Sequence, residues 1–328
     1  MSPSLPVEAE SRSGHLAILL PVFDDWESLK ALLRHVDDAV GSAGLLADII
    51  VIDDGSVDEC PDDIAHGVRA LRAVHAVRLR RNVGHQRAIA IGLALLAQRG
   101  SHATIAIMDA DGEDRPEDLI LLLDRLRRDR RAKVVFAERL RRTEGVAFTV
   151  LYHAYRLLHL VLTGVRVRVG NFSALSAEAA AALVAMPELW NHYAAAVFRS
   201  RLPYASVPTP RGVRICGRPK MDFVSLVAHG LSAMSVFGET VGVRLMVGAL
   251  ALTLASAGGL GVSLAVGPAL PARGALWSSV FLVFSFQALV ASVFFAFGIL
   301  ASRSATGFLP VRDYRFYVLR ERILREAP

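Results

Sequence analysis

Two aspartates one residue apart, Asp109 and Asp111, directly follow the apolar run Thr104-Ile105-Ala106-Ile107-Met108. At the carboxyl end of a buried strand such a pair offers hard oxygen ligands. Mg²⁺ or Mn²⁺ binds through one or two carboxylates together with the oxygens of a substrate phosphate. The chemistry on offer is charge neutralisation on a phosphorylated substrate. The motif is short, and solvated loops also produce it. The acids that follow, Asp114, Glu117 and Asp118, suit the first turn of a helix. Its weight comes from the other strand ends. Asp24-Asp25 follows the apolar stretch His15–Val22, Asp53-Asp54-Gly55-Ser56 follows Ala47–Ile52, and Arg81-Asn82-Val83-Gly84 follows Ala73–Leu79.

Helical patterns over Trp26–Val40, Pro61–Ala70, His85–Arg99 and Pro116–Arg130 separate these stretches, and Lys133–Ala137 reads as a further strand. Alternating strand and helix with short connections predicts an α/β fold with a mostly parallel, Rossmann-like sheet. Such sheets bind ligands beyond the carboxyl ends of their strands, where the polar residues fall. A glycine-rich dinucleotide fingerprint and a Walker A loop are both missing from the sequence, which disfavours those two phosphate sites. The 328 residues carry a net charge of +6, compatible with phosphorylated ligands or anionic lipid. The basic residues track apolar segments rather than an aromatic groove, so nucleic acid is not an expected partner. Cys60 and Cys216 are far apart and predict no disulfide framework. Residues 1–14 are polar, lack an apolar signal core and are expected to be disordered.

Leu245–Gly267 contains no charged residue, and Gly274–Ser302 has Gln287 as its strongly polar side chain. Both stretches are long enough to cross a hydrocarbon core of about 30 Å. With the turn Pro268–Arg273 they predict a transmembrane hairpin over 243–303, its spans near 245–267 and 276–301. Arg214, Arg218, Lys220 and Arg244 flank it on one side, and Arg303, Arg312, Arg315, Arg320, Arg322 and Arg325 on the other. The positive-inside rule then places both termini in the cytoplasm, on a multi-pass inner (cytoplasmic) membrane protein. The remaining boundaries are a soluble domain over 15–220, an amphipathic juxtamembrane helix over 221–242 and a basic, aromatic tail over 304–328 suited to the headgroup level.

Taken together, the strand-end motifs resemble glycosyltransferase family 2. Pro21-Val22-Phe23-Asp24-Asp25 is similar to the family's Pro-x-Tyr-Asn-Glu, and Val51–Asp58 to its Val-Asp-Asp-Gly-Ser-x-Asp. Arg81-Asn82-Val83-Gly84 matches Arg-Asn-x-Gly, and Met108–Asp111 the metal-binding Asp-x-Asp region. Ala137-Glu138-Arg139 with Arg142 and Glu144, Gly170-Asn171-Phe172, and Arg214 through Gly217-x-Pro219-Lys220 resemble the branch that uses polyprenyl phosphates and includes dolichyl-phosphate mannose synthase. Asn171 stands where that branch has an acid, Pro219 where it has serine, and Gly112-Glu113 where Leu-Gln is common.

The resemblance implies a GT-A fold and inverting transfer of a sugar from a nucleotide-diphosphate donor, UDP- or GDP-linked, to an undecaprenyl-type phosphate. It implies Mg²⁺ or Mn²⁺ on Asp111, with Asp109 and Glu113 next, and a donor pocket of Pro21, Phe23, Asp25, Asp53, Asp54, Arg81 and Asp109. Arg139, Arg142, Arg156, Arg214 and Lys220 would hold the acceptor phosphate. Asp109, Asp111, Arg139 and Lys220 would carry the reaction. The bilayer is an expected partner, and two-span relatives permit a homo-oligomer such as a tetramer. Other readings stay open: Asp54 as a turn and cap residue, the arginines as contacts to anionic lipid, another lipid or glycan acceptor, or a catalytically degenerate scaffold. His85, His153, His159 and His192 form no metal-ligand pattern and read as structural.

Overall fold

The computed structural model describes residues 15–139, 156–166, 169–216, 223–266, 272–305 and 309–326. Seven-residue apolar runs form β1 (Leu16–Val22) and β2 (Ala47–Asp53), both buried throughout. β3 (Leu71–Leu79), β4 (Thr104–Ile107), β5 (Val134–Arg139), β6 (Ser173–Ser176), β7 (Tyr204–Thr209) and β8 (Val318–Glu326) complete one sheet. Its order is β7-β5-β6-β4-β1-β2-β3-β8. β4, β1, β2 and β3 are mutually parallel neighbours, so the polar ends of all four emerge on one edge.

Alternation along the strands sorts the core into two layers. Ile18 and Leu20 of β1 face α1 (Trp26–Ser42) and α3 (Pro116–Arg128), whereas Ala17 and Leu19 face α2 (His85–Arg99). Helix α2 lies close against β1: a Cβ on Gly92 would come within 2.3 Å of Leu19 Cδ1.

Three local features go beyond the sequence-based expectations. Residues 61–70 form turns rather than a helix. The Asp37 carboxylate of α1 accepts hydrogen bonds from the backbone N–H groups of Arg69, Ala70 and Leu71, and Gly67 adopts φ +87°. Those amides are tied to a neighbouring helix instead of to one another. Second, β5 does not adjoin β4. The short strand β6 slots between them, antiparallel to both, in a sheet that is mostly parallel as expected. Third, residues 318–326 of the tail form a strand, β8, that pairs antiparallel with β3.

The described residues fall into two compact units. The first holds 15–139, 169–216, 223–228 and 309–326; the second holds 156–166, 229–266 and 272–305. In the second, Gly238–Val266 and Ala272–Ala305 are long helices packed as a hairpin, with Ser256 and Ser285 Oγ atoms 3.3 Å apart. Gly238–Val262 and Leu276–Phe295 are the candidate membrane spans, with mean hydropathies of 1.9 and 2.0. Their side chains are largely uncovered, including Leu254, Phe284 and Phe294. A helix over Phe223–Ser235 precedes them, ending earlier than the juxtamembrane helix expected over 221–242.

The turn after β2 packs against the turn after β3 through a glycine. Gly55 has φ +72°, and a Cβ there would lie 2.6 Å from backbone atoms of Arg81 and Asn82. Gly55→Ala is expected to destabilise the protein by about 2 kcal/mol or more. Thermal denaturation in detergent checks this, and an unchanged midpoint would contradict it.

Candidate active site

The carboxyl ends of β1, β2 and β4 lie side by side, which assembles acids distant in sequence. Asp53, at the end of β2, is almost completely buried. Its Oδ1 accepts the Ser56 N–H at 2.8 Å; its Oδ2 has no hydrogen-bond partner among the described residues and lies 3.6 Å from Arg78 Nε. Asp54 points the other way. Its two oxygens accept the N–H groups of Val83 and Gly84 at 2.7 and 2.9 Å, so it ties the β2 turn to the Arg-Asn-Val-Gly turn. Burial raises the Asp54 pKa, and those two N–H groups pull against the rise. The structure thus gives Asp54 the turn-bracing role and leaves Asp53 with an uncommitted oxygen.

The acid loop after β4 is held by a strap from the segment after β7. Ile215 N–H donates to the Asp111 carbonyl and Gly212 N–H to the Glu113 carbonyl, each at 2.9 Å. Gly112 permits this with φ +84°, since a Cβ there would strike Ile215. Across the strap, Arg214 Nη1 donates to Asp111 Oδ2 at 2.9 Å and Nη2 to Asp25 Oδ2 at 2.5 Å. Arg211 pairs with Glu113. Arg139, at the end of β5, donates to Asp114 Oδ1 at 2.9 Å and lies 3.7 Å from Glu113 Oε2. Asp114 also accepts the Asp109 N–H at 2.9 Å, which fixes the acid loop from within.

A third group surrounds Asp109. His85, the first residue of α2, places Nε2 3.1 Å from Asp109 Oδ1 and 3.1 Å from Asn171 Nδ2. Tyr193 N–H donates to Gln86 Oε1, which leaves the Gln86 amide to donate to Asn171 Oδ1 at 3.0 Å. Desolvation opposes the charged form of His85. The carboxylates of Asp109, Asp114 and Asp54 outweigh it and raise the pKa above the ordinary histidine value.

The acid cluster is electrostatically crowded. Burial raises the Asp111 pKa first, and repulsion from Asp109 and Glu113 adds to it, offset by the Glu113 N–H and Arg214. Asp114 is pushed up to about 7 by burial and then by Asp109, with Arg139 opposing. Hard oxygen donors under mutual repulsion suit a divalent cation. Among the described residues no three His, Cys, Asp or Glu side chains already converge as a ligand set. Arg214, Arg211 and Arg139 supply the compensating charge here. The donor chemistry therefore fits Mg²⁺ or Mn²⁺, provided that Arg214 releases Asp111.

Of the remaining predicted residues, Pro21 is buried in β1, while Phe23 is exposed beyond its end. Arg81 is exposed and donates to the Asn82 carbonyl. Arg156 belongs to the second compact unit. Arg142 and Lys220 lie outside the described residues. Sequence reading gave His85 a structural part and Asp114 a place in the first turn of a helix, and did not single out Arg78 or Arg211. His85 had a usable signal: it directly follows the strand-end turn Arg81–Gly84.

Residues 17–183, just over half of the chain, match the sequence profile of Glycosyl transferase family 2. The chain belongs to this family. It is similar to the undecaprenyl-phosphate 4-deoxy-4-formamido-L-arabinose transferase of Klebsiella pneumoniae (strain 342), at 33% identity over 114 residues, or 34% of this chain and 33% of that protein. The protein of the same name from Pseudomonas paraeruginosa (strain DSM 24068 / PA7) is 34% identical over 111 residues, covering 34% and 32%. The match thus spans about a third of the length of these relatives. The glucosyl-3-phosphoglycerate synthase of Mycobacterium tuberculosis, solved with phosphoglyceric acid, superposes with a TM-score of 0.50 at 19% identity, covering 74% of this chain and 86% of that one. That likeness establishes the GT-A fold, as the strand-end motifs implied.

The raised Asp114 pKa has a signed consequence. An ordinary carboxyl titrates near 3.8 and Asp114 near 7, so the folded protein binds this proton more tightly than the unfolded chain. The contribution of Asp114 to stability is therefore lost as pH rises between those values. Asp114→Asn is expected to flatten that part of the stability profile. Denaturation midpoints of both proteins at about pH 5 and about pH 8 test this, and parallel profiles would count against it.

Proposed function

We propose that this glycosyltransferase transfers a sugar, with inversion, from a UDP- or GDP-linked donor to an undecaprenyl-type polyprenyl phosphate at the cytoplasmic face of the inner membrane. The observation that carries this reading is Arg214, whose guanidinium bridges Asp25 of the donor side and Asp111 of the acid loop. Acids for a nucleotide and arginines for phosphates meet there, in a chain that also carries two long apolar helices. The names of the Klebsiella and Pseudomonas relatives support the acceptor class.

In the proposed reaction an oxygen of the acceptor phosphate attacks the anomeric carbon. A new carbon–oxygen bond forms, the bond to the donor diphosphate breaks, and the nucleoside diphosphate leaves with the electron pair. Asp53, through its uncommitted oxygen, and Asp25 would engage the nucleoside. Asp111, with Asp109 and Glu113, would hold Mg²⁺ or Mn²⁺, which when bound neutralises charge on the diphosphate. A donor diphosphate reaching Arg214 offers it oxygens that compete with Asp111. Arg139, with Lys220 and Arg142 as further candidates from the sequence motifs, would hold the acceptor phosphate, where guanidinium groups bind bidentately. An ionised phosphate needs positioning more than a strong base, which accords with Asn171 in place of an acid.

One observation favours a second reading, a hydroxyl-bearing lipid or glycan acceptor: His85 stands against Asp109 and could take up a hydroxyl proton. Purified protein with Mn²⁺, a panel of nucleotide sugars and either undecaprenyl phosphate or neutral lipid alcohols separates the two. Sugar-lipid product from the phosphate alone is expected. Product from the alcohols alone would support the second reading, and no product from folded protein would favour a scaffold. Asp111→Ala is expected to lower turnover by about 100-fold or more without lowering the melting temperature. Normal turnover in that variant would remove the metal assignment.

A further inference from the structure

We propose that β8, the strand reached after the second apolar helix, is a positioning element of the donor-nucleotide site, acting through Arg320 and Arg322 on the loop that follows β2. This rests on the reading of Asp53 as a donor-binding residue. All the residues involved lie in the first compact unit.

The line of contacts starts at Asp53. Arg78 of β3 stands 3.6 Å from its uncommitted oxygen and donates to the Ser56 carbonyl at 2.8 Å. Arg78 thereby sets the spacing between Asp53 and its loop. The sheet register pairs Arg78 with Arg320 of β8. Like charges directly opposite one another on neighbouring strands repel, and Glu59 supplies the anion between them. Its Oε1 lies 3.5 Å from Arg78 Nη1 and 2.7 Å from Arg320 Nη2.

Two residues along, on the same face of β8, Arg322 donates to the Cys60 carbonyl at 3.3 Å and pairs with Asp62. The other margin of the loop is held by the β1 end and α1: Val57 N–H donates to Asp24 Oδ1 at 2.7 Å, and Trp26 Nε1–H to the Asp58 carbonyl at 3.2 Å. The loop beside Asp53 is thus gripped from one side by the β1 end and α1 and from the other by β8.

Glu59 and Asp62 are 63% and 88% exposed as side chains. Exposed ion pairs add little to stability. Their effect here is on the placement of the loop, so nucleotide affinity is the informative readout. Full-length protein in detergent is titrated calorimetrically with UDP and with GDP. Glu59→Gln is expected to weaken binding of the preferred nucleotide roughly two- to fivefold at an unchanged melting temperature. Arg320→Ala combined with Arg322→Ala is expected to weaken it further, with Arg320→Lys restoring part of the loss. KM for the acceptor stays constant in each variant.

Unchanged nucleotide affinity in folded Glu59→Gln overturns the proposal, even if the double variant fails to fold. A loss of affinity matched by a loss of melting temperature, or one accompanied by an equal rise in acceptor KM, overturns it as well. If the unsubstituted protein binds neither nucleotide, the donor reading fails and this inference falls with it. Nucleotide binding that ignores Glu59 and β8 sinks the inference alone.

Discussion

Repulsion among carboxylates at the ends of parallel strands is the constraint around which the first compact unit is organised. A parallel sheet brings Asp25, Asp53 and the Asp109–Asp114 loop to one edge because it aligns every carboxyl end in one direction. Buried or half-buried acids at such spacing are stable only if positive charge reaches them. Arg214, Arg211 and Arg139 provide it, and each comes from a part of the chain later than the acids it meets. The strap that carries Arg214 is itself sewn to the acid loop by backbone hydrogen bonds. Charge compensation and loop geometry are therefore one arrangement, and a ligand that alters one alters the other.

Backbone turns divide the work between adjacent acids. Asp53 and Asp54 are neighbours with similar burial, yet one oxygen of Asp53 faces Arg78 uncommitted while both oxygens of Asp54 brace the next strand-end turn. The successive residues of an extended strand point to opposite sides, which is enough to give identical side chains different tasks. The same geometry places His85 beside Asp109, since α2 starts where the β3 turn stops.

Much of this was legible in the sequence. Apolar runs punctuated by Asp-Asp, Asp-Asp-Gly-Ser, Arg-Asn-Val-Gly and Asp-Ala-Asp announced the parallel strands and the edge that carries the site. The two apolar helices were legible from length and lack of charge. β6 was not, because four residues, Ser173–Ser176, show too little periodicity to separate strand from loop. The turn segment 61–70 was misread as helix because its amides split between local turns and, at Arg69 and Ala70, the distant Asp37 carboxylate, a partner that no local pattern reveals. Asp114 read as a helix-start residue, and Arg78 and Arg211 carried no signal that set them apart from other arginines. What distinguishes them is the company they keep after folding. The arginine-rich stretch 318–326 looked like a lipid-facing tail because charge placement on an edge strand resembles charge placement beside a membrane.

The pairing of β8 with β3 bears on the order in which the protein can be made. A chain emerging from the ribosome presents β1 to β7 first, then both apolar helices, and only then the strand that covers β3. Until that point the β3 edge exposes unpaired backbone groups, a surface prone to wrong partners. Completion of the sheet thus waits on synthesis of both apolar helices. Both ends of the apolar hairpin lead back to the same folded unit, so the sheet closes only after the chain has passed through both helices. A chain interrupted after the second apolar helix would lack β8 and leave the sheet unfinished at β3.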